Sequence, residues 1–239
     1  MKMWFGNRYD PVLHQTQVVA YDLSDPSNPT QAWTYAHDTP MEQLCAGDGK
    51  IYFGSTEAKV VALDVNGTVA WETPTRGGIA QQSGIYMDGR VFTSSVSWQL
   101  TCFNSTTGEW LWQADKGIRA FSAYRGAAGD GMYFECTDEL DPHGAIQAFE
   151  VETGQRLWKQ AAYFRIHYQT ACYADGKLYT STCDSGAGVG TGGMISPGTE
   201  FTCFDAYTGT VLWRLPGFSV TYPSIAYGNL YFFVGTTLY

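Results

Sequence analysis

The sequence predicts an all-β protein built from repeated four-stranded antiparallel sheets, and two observations support this prediction. The composition combines 27 glycines and 15% aromatic residues with only 15% charged residues. This balance suits many short strands joined by tight turns. In addition, two sequence motifs recur together along nearly the whole chain, at a spacing of about 40 to 50 residues, which is typical of a repeat architecture.

The first motif is Gly-x-x-x-Trp, preceded by an apolar residue and then an acidic or amide residue. Its four clear copies end at Trp71, Trp112, Trp158 and Trp213, and a degenerate fifth copy ends at Trp33. The glycine follows threonine in three of the clear copies and asparagine in the other. Glycine adopts positive φ without steric cost, so the motif predicts a tight hairpin before the strand that carries the tryptophan.

The second motif is a glycine followed, after one or two residues, by an aromatic side chain. Aspartate precedes this glycine in four copies, at 48–49, 88–89, 130–131 and 175–176. Asp-Gly between apolar runs predicts another tight hairpin. We therefore predict four strands per repeat, with the first ending before Asp-Gly and the second following it. The third strand ends at the apolar-acidic step, and the fourth and outermost carries the tryptophan.

Together these motifs resemble the PQQ-like (quinoprotein-like) repeat family of β-propellers, and the resemblance covers nearly the whole chain. It implies an all-β propeller of four-stranded antiparallel blades. In that family an outer-strand tryptophan stacks between neighbouring blades and tethers them. The resemblance assigns this structural role to Trp71, Trp112, Trp158 and Trp213.

The chain has material for about five and a half such blades, whereas the family usually closes with seven or eight. We therefore expect residues 1–239 to form one propeller domain that is part of a larger ring, because unpaired inner edges would otherwise be exposed. The alternative is an unusual small ring in which the ends of the chain meet. The predicted blades are a partial blade at 1–40, full blades at 41–79, 80–118, 119–166 and 167–218, and a partial blade at 219–239.

Charge and hydropathy exclude some classes of partner. The formal net charge is −9, and such a surface repels phosphate backbones, so nucleic acid is not an expected partner. No apolar stretch approaches the roughly 18 residues that a transmembrane helix needs. Sparse lysine, abundant Tyr, Thr, Ser and Gly, and six cysteines suit an extracellular, cell-surface or periplasmic location, with any signal or anchor outside this chain.

Polar residues near the starts of the first strands form the candidate ligand site. In a propeller these segments line the central funnel, where converging polar groups can bind a small ligand. The arginines among them would favour an anion. The alternative is a water-filled polar channel. The candidate residues are Glu42, Gln81, Gln82, Arg119, Arg165, His167, Gln169 and Tyr222.

An acidic segment supplies a candidate metal site. Asp138, Glu139 and Asp141 carry oxygen ligands that could hold Ca²⁺, although their spacing does not match an EF-hand loop. A solvated acidic turn is the alternative. PQQ and calcium therefore stay open as cofactors, but none is predicted.

Four residues are candidates for covalent modification. Asn66 and Asn104 each begin an N-x-Thr sequon in a turn between the third and fourth strands. Cys183 and Cys203 would lie on neighbouring strands across a long glycine-rich segment, within reach of a disulfide. The alternative is two separate buried thiols.

The favoured function is a non-catalytic binding or scaffolding propeller outside the cytoplasm, with a protein partner or a surface assembly. The resemblance also includes dehydrogenases that hold PQQ with Ca²⁺, a catalytic Asp and, in many, a disulfide between adjacent cysteines. This chain has no Cys-Cys pair, and none of the family's catalytic residues can be mapped onto it, so the sequence leans against an enzyme.

Two alternatives stay open. One is a fragment of a PQQ- and calcium-dependent dehydrogenase. The other is a carbohydrate-binding propeller that uses the aromatic residues Tyr163, Phe164, Tyr168 and Phe218.

Overall fold

The structure is a computed structural model, and its regular elements are all β-strands. It describes residues 3–10, 15–37, 44–75, 82–95, 99–117, 123–137, 145–161, 166–184, 200–216, 221–234 and 237–238. No helix occurs within these ranges. The predicted all-β class is confirmed. The chain falls into two compact units, Met1–Gln113 and Ala114–Tyr239.

The first unit contains one three-stranded sheet and two four-stranded sheets, all antiparallel and with sequential strand order. The strands of the first sheet are β1 (Met3–Asp10), β2 (Gln15–Asp22) and β3 (Thr30–His37). Those of the second are β4 (Cys45–Gly47), β5 (Lys50–Ser55), β6 (Lys59–Asp64) and β7 (Val69–Pro74). Those of the third are β8 (Gln82–Met87), β9 (Arg90–Ser94), β10 (Gln99–Asn104) and β11 (Trp110–Asp115), whose last two residues belong to the second unit.

The second unit repeats this arrangement with two four-stranded sheets and a three-stranded one. The strands of its first sheet are β12 (Ala123–Gly129), β13 (Met132–Thr137), β14 (Ala145–Glu150) and β15 (Arg156–Ala161). Those of its second are β16 (Ile166–Ala174), β17 (Lys177–Asp184), β18 (Glu200–Asp205) and β19 (Val211–Pro216). Those of its third are β20 (Thr221–Ala226), β21 (Asn229–Val234) and β22 (Thr237–Leu238).

The Asp-Gly pairs form the predicted hairpins between first and second strands. Asp48, Asp88, Asp130 and Asp175 have φ of 47° or 48°, and the glycine after each has φ between 70° and 74°. Positive φ at both central residues defines the two-residue turn whose twist matches that of the flanking strands. Aspartate tolerates this conformation better than most residues. The local sequence therefore fixes the register of each hairpin.

Tyr227 occupies the aspartate position in the last hairpin, with φ of 52° and 98% of its surface exposed. A left-handed conformation costs a non-glycine residue about 1–2 kcal/mol, and aspartate less. We therefore expect Tyr227→Asp to raise the free energy of unfolding by about 0.5–1 kcal/mol in urea titrations. The reciprocal control, Asp175→Tyr, should lower it, and a stabilising Asp175→Tyr would contradict this explanation.

The cores lie between neighbouring sheets. In the first unit Tyr52, Val91 and Phe103 belong to one buried cluster. In the second unit Phe134, Leu178 and Phe204 belong to another. In the second sheet the middle strands β5 and β6 bury both faces, because this sheet packs against the first sheet on one side and the third on the other, and their sequences are correspondingly apolar.

Candidate functional site

The first strands, where the sequence places the ligand site, share a backbone irregularity. The pairing register shifts between Ser83 and Ile85 in β8, between Tyr168 and Ala171 in β16, and between Thr221 and Ser224 in β20. Strand β12 has the same shift between Tyr124 and Ala127. Such bulges re-aim side chains and are frequent beside functional sites. The sequence signal for them is a glycine or proline inside the strand, as at Gly84, Gly126 and Pro223.

Several predicted ligand residues fall on these strands. Gln82 begins β8, His167 and Gln169 lie in β16, and Tyr222 lies in β20. Gln169 and Tyr222 are within the irregular stretches. The backbone positions of these four residues are described, but their side chains are not. Glu42, Gln81, Arg119 and Arg165 lie outside the described residues, as do Asp138, Glu139 and Asp141. The funnel and calcium hypotheses therefore stay predictions.

Some outer-strand tryptophans dock their sheet on the next one within a unit. Trp71 Nε1 donates to Ser105 O at 2.9 Å, and its indole lies against Gly108, where a methyl group would come within 2.6 Å of Cδ2. Trp158 makes the same contacts, with Ala206 O at 2.9 Å and with Gly209. The turn glycine is therefore needed both for its positive φ and for the absence of a side chain.

Trp33, from the degenerate copy, docks in the same way: its Nε1 donates to Val65 O at 2.8 Å, and its ring lies against Gly67. For Trp112 the structure shows a contact with Phe92 of its own sheet. Trp213 packs on Tyr179 and Phe201 of its own sheet and is 39% exposed. Tethering by Trp112 and Trp213 stays a prediction.

A second docking contact joins the Asp-Gly hairpins. Tyr86 from β8 packs on Gly47 of the preceding sheet, where a methyl group would lie 2.1 Å from its ring. Tyr173 packs on Gly129 in the same way, at 2.0 Å. Each tyrosine hydroxyl accepts a hydrogen bond from the glycine N–H of its own hairpin, as Tyr173 does from Gly176 at 3.1 Å. Neighbouring sheets are therefore held together both by tryptophans of the outer strands and by tyrosines of the first strands.

A buried ionic cluster lies in the second unit. Lys116 Nζ is 3.4 Å from Glu135 Oε1, and both side chains are fully buried. The Tyr133 hydroxyl donates to Glu135 Oε2 at 2.7 Å. Burial, followed by the neighbouring carboxylate, raises the pKa of Tyr133 well above its ordinary value, so it stays a neutral donor.

Two further side chains connect to this cluster. Arg156 Nη1 lies 3.3 Å from Gln147 Oε1 and 3.4 Å from Lys116 O. Gln147 is fully buried and pairs with Glu135 across β13 and β14. Buried charges usually require a partner, so this cluster is costly to disturb.

Sequence reasoning missed the cluster, although the repeat register contains a signal for it. The pair Glu135 and Gln147 takes the position of Phe53 and Val61 in the second sheet. In the other two complete sheets, threonine pairs occupy that position, at Thr93 with Thr101 and at Thr180 with Thr202. A charged residue at a position that is otherwise apolar or small could have identified it.

The predicted disulfide between Cys183 and Cys203 is wrong. Cys203 is a free, buried thiol and pairs across the sheet with Tyr179. Cys183 lies four positions further along β17, about 13 Å away at the rise of a strand. A disulfide needs Cα atoms within about 7 Å. The long segment between β17 and β18 left the register open, and the observed register separates the two residues.

We expect Cys203 to be labelled by iodoacetamide when the protein is unfolded without a reductant. In the native protein the thiol should react slowly, because burial raises its pKa to about 11. Burial likewise raises the pKa of Cys45 to about 12 and that of Cys172 to about 12. Peptide mapping checks this: labelling of Cys203 only after reduction would contradict the free thiol.

Within the described ranges, His, Cys, Asp and Glu side chains form no group of three that could hold a metal ion. Nor do these ranges contain a helix long and apolar enough to cross a membrane.

Repeated four-stranded antiparallel sheets, docked by tryptophans on turn glycines, define the class of β-propeller proteins. Comparison with solved structures agrees. BamB from Moraxella catarrhalis is 14% identical with a TM-score of 0.60, over 97% of this chain and 84% of that one. Sqt1 from Saccharomyces cerevisiae is 12% identical with a TM-score of 0.68, over 99% and 67%. A europium-containing methanol dehydrogenase is 12% identical with a TM-score of 0.61, over 92% of this chain, which spans only 50% of that enzyme.

The family follows from the sequence match. Residues 14–128 and 142–236 match the PQQ-like repeat family described as outer membrane protein assembly factor BamB. The chain belongs to this family. A comparison with curated proteins finds no sequence match.

Proposed function

We propose that this chain is a non-catalytic binding or scaffolding propeller that works outside the cytoplasm and contacts a protein partner. The observation that carries the proposal is the match to the BamB family over both units of the chain. Similar structures include both BamB and a dehydrogenase at nearly equal TM-scores, so the likeness of fold alone does not separate the two functions.

The described reactive groups support a structural rather than a chemical role. The side chains of Lys116 and Glu135 are fully buried. Asp48 accepts a hydrogen bond from Ser105, the residue on which Trp71 docks. Raised thiol pKa values disfavour a cysteine nucleophile. The net charge of −9 favours a partner with a basic surface.

Cofactor addition separates this proposal from its main alternative. The purified chain is mixed with PQQ and Ca²⁺, and the absorbance of bound cofactor and the reduction of an electron-accepting dye are followed with alcohols and sugars. We expect neither binding nor turnover. Dye reduction above a heat-denatured control would overturn the proposal in favour of a dehydrogenase fragment.

Crosslinking in cells tests the positive part. A photoreactive amino acid placed at Tyr227, which is 98% exposed, should yield a discrete adduct with one protein of the cell envelope if this hairpin lies at the contact. The matched control places it at the buried Leu178. Fractionation of the same cells tests the location, and recovery in the cytoplasm alone would contradict it.

A further inference from the structure

We infer that Asn66 is a site for an N-linked oligosaccharide and that Asn104, which begins the other sequon, is not. The inference concerns a covalent modification rather than a partner. For the protein in its natural setting, it rests on the extracytoplasmic location proposed above. The two sequons lie in equivalent turns of successive sheets in the same unit, so they form a matched pair within one chain.

The acceptor group of Asn66 is accessible. Val65, Asn66 and Thr68 are exposed at the apex of the turn between β6 and β7. Trp33 holds this turn through Val65 O and Gly67, the residues on either side of Asn66. The carboxamide nitrogen of Asn66 makes no hydrogen bond to a described residue.

Hydrogen bonds join the two functional side chains of the sequon at Asn66. Asn66 Oδ1 accepts hydrogen bonds from Thr68 Oγ1 at 2.7 Å and from Thr68 N at 3.1 Å. A hydroxyl donated to the amide oxygen places the two side chains of the sequon together and uses the oxygen of this exposed carboxamide rather than its nitrogen. This is the side-chain turn that asparagine commonly forms with its own backbone.

The second sequon is fixed by sheet docking. Its middle residue, Ser105, is fully buried. Ser105 O accepts from Trp71 Nε1 at 2.9 Å and from the Tyr52 hydroxyl at 3.3 Å. Ser105 Oγ donates to Asp48 Oδ2 at 3.0 Å. An enzyme that must bind the three residues as a peptide cannot reach this one without separating two sheets.

Asn104 itself has a structural role. It ends β10, it is half-buried, and its Oδ1 accepts hydrogen bonds from Thr106 N at 2.9 Å and Thr107 N at 3.0 Å. Asp205 caps the equivalent turn in the same way, through Thr208 N. Asn104 thus corresponds to a turn cap, whereas Asn66 lies two positions further into its turn.

The reaction needs only an activated sugar. The Nδ2 nitrogen of Asn66 attacks the anomeric carbon of a lipid-linked oligosaccharide and forms a C–N bond. The C–O bond to the lipid diphosphate breaks, the diphosphate leaves with the electron pair, and the nitrogen loses one proton. A glycan there would keep the outer turn of this sheet in solvent and exclude a protein partner from it.

A reconstituted glycosylation reaction tests the inference without reference to cellular location. The purified, folded chain is incubated with a single-subunit oligosaccharyltransferase and a lipid-linked oligosaccharide, and the products are analysed by intact mass and peptide mapping. We expect one glycan, at Asn66. Asn66→Gln should abolish it, and Asn104→Gln should leave it unchanged. Synthetic peptides spanning 60–71 and 100–111 should both be accepted, which would show that the fold makes the difference.

Glycosylation of the folded chain at Asn104, alone or equally with Asn66, would overturn the inference. So would a folded chain that is not modified at Asn66, or refusal of the peptide 60–71. Failure of the proposed location would be seen separately, by cell fractionation, and would leave the result of the reconstituted reaction intact.

Discussion

Replacing Lys116 with methionine is expected to lower the free energy of unfolding by about 3–5 kcal/mol. The substitution removes the charge that neutralises Glu135, and both side chains are fully buried. A carboxylate left in apolar surroundings loses its hydration without a compensating charge. Methionine has nearly the same length as lysine, so the loss reflects charge rather than a cavity. Urea unfolding followed by tryptophan fluorescence measures the effect.

Two further variants make this prediction specific. Lys59→Met removes a cation that lies 3.7 Å from Glu72, but both of these side chains are 38% exposed, so its effect should stay below about 1 kcal/mol. Adding Glu135→Gln to Lys116→Met removes the uncompensated charge and keeps an acceptor for Tyr133. The double variant should regain more than half of the lost stability. If it is as unstable as Lys116→Met alone, the electrostatic explanation fails.

The fold was predictable because its signals are local. Asp88 and Gly89 are adjacent in sequence, and both readily adopt the positive φ values that the hairpin between β8 and β9 requires. The tryptophan positions were predictable for the same reason, since each follows its turn glycine by four residues. A motif that returns at the same spacing also indicates a repeat when one copy is degenerate, as at Trp33.

The buried cluster could not be predicted from local signals. Lys116 follows the outer strand of one sheet, and Glu135 lies in the second strand of the next, 19 residues away. Their contact is a tertiary one, and no local motif links the two residues. Lysine and glutamate are rarely fully buried, so the sequence pattern alone favours an exposed position for both side chains. The cross-strand pair of Glu135 with Gln147 shows that this sheet has polar residues at a position where the other complete sheets have apolar residues or threonine.

The disulfide prediction was wrong for a related reason. Strands joined by a two-residue turn have a fixed register, whereas those joined by a long segment do not. The pairing of β17 with β18 ends at Ser181 and Phe201, and Cys183 lies two positions beyond Ser181, where β17 pairs with His167 of β16. Both cysteines were correctly placed on neighbouring strands, but adjacency of strands does not imply adjacency of residues.

Truncating Trp71 to alanine is expected to lower the free energy of unfolding by about 3–5 kcal/mol. The indole is only 9% exposed and stacks on Phe103 of the next sheet, with ring centroids 6.4 Å apart. Its loss would open a cavity between two sheets and leave the buried Ser105 carbonyl without the Nε1 donor. Trp71→Phe keeps much of the packing and loses the hydrogen bond, so a loss of about 1–3 kcal/mol should remain.

Trp213 supplies the matched control, since it ends the same sequence motif but is 39% exposed. Trp213→Ala removes less buried apolar surface, and the expected loss is about half that of Trp71→Ala. Equal losses at the two positions would show that the tryptophan stabilises its own sheet rather than the docking between sheets. A loss below about 1 kcal/mol for Trp71→Ala would contradict the docking role altogether, because removal of a buried indole typically costs about 3–5 kcal/mol.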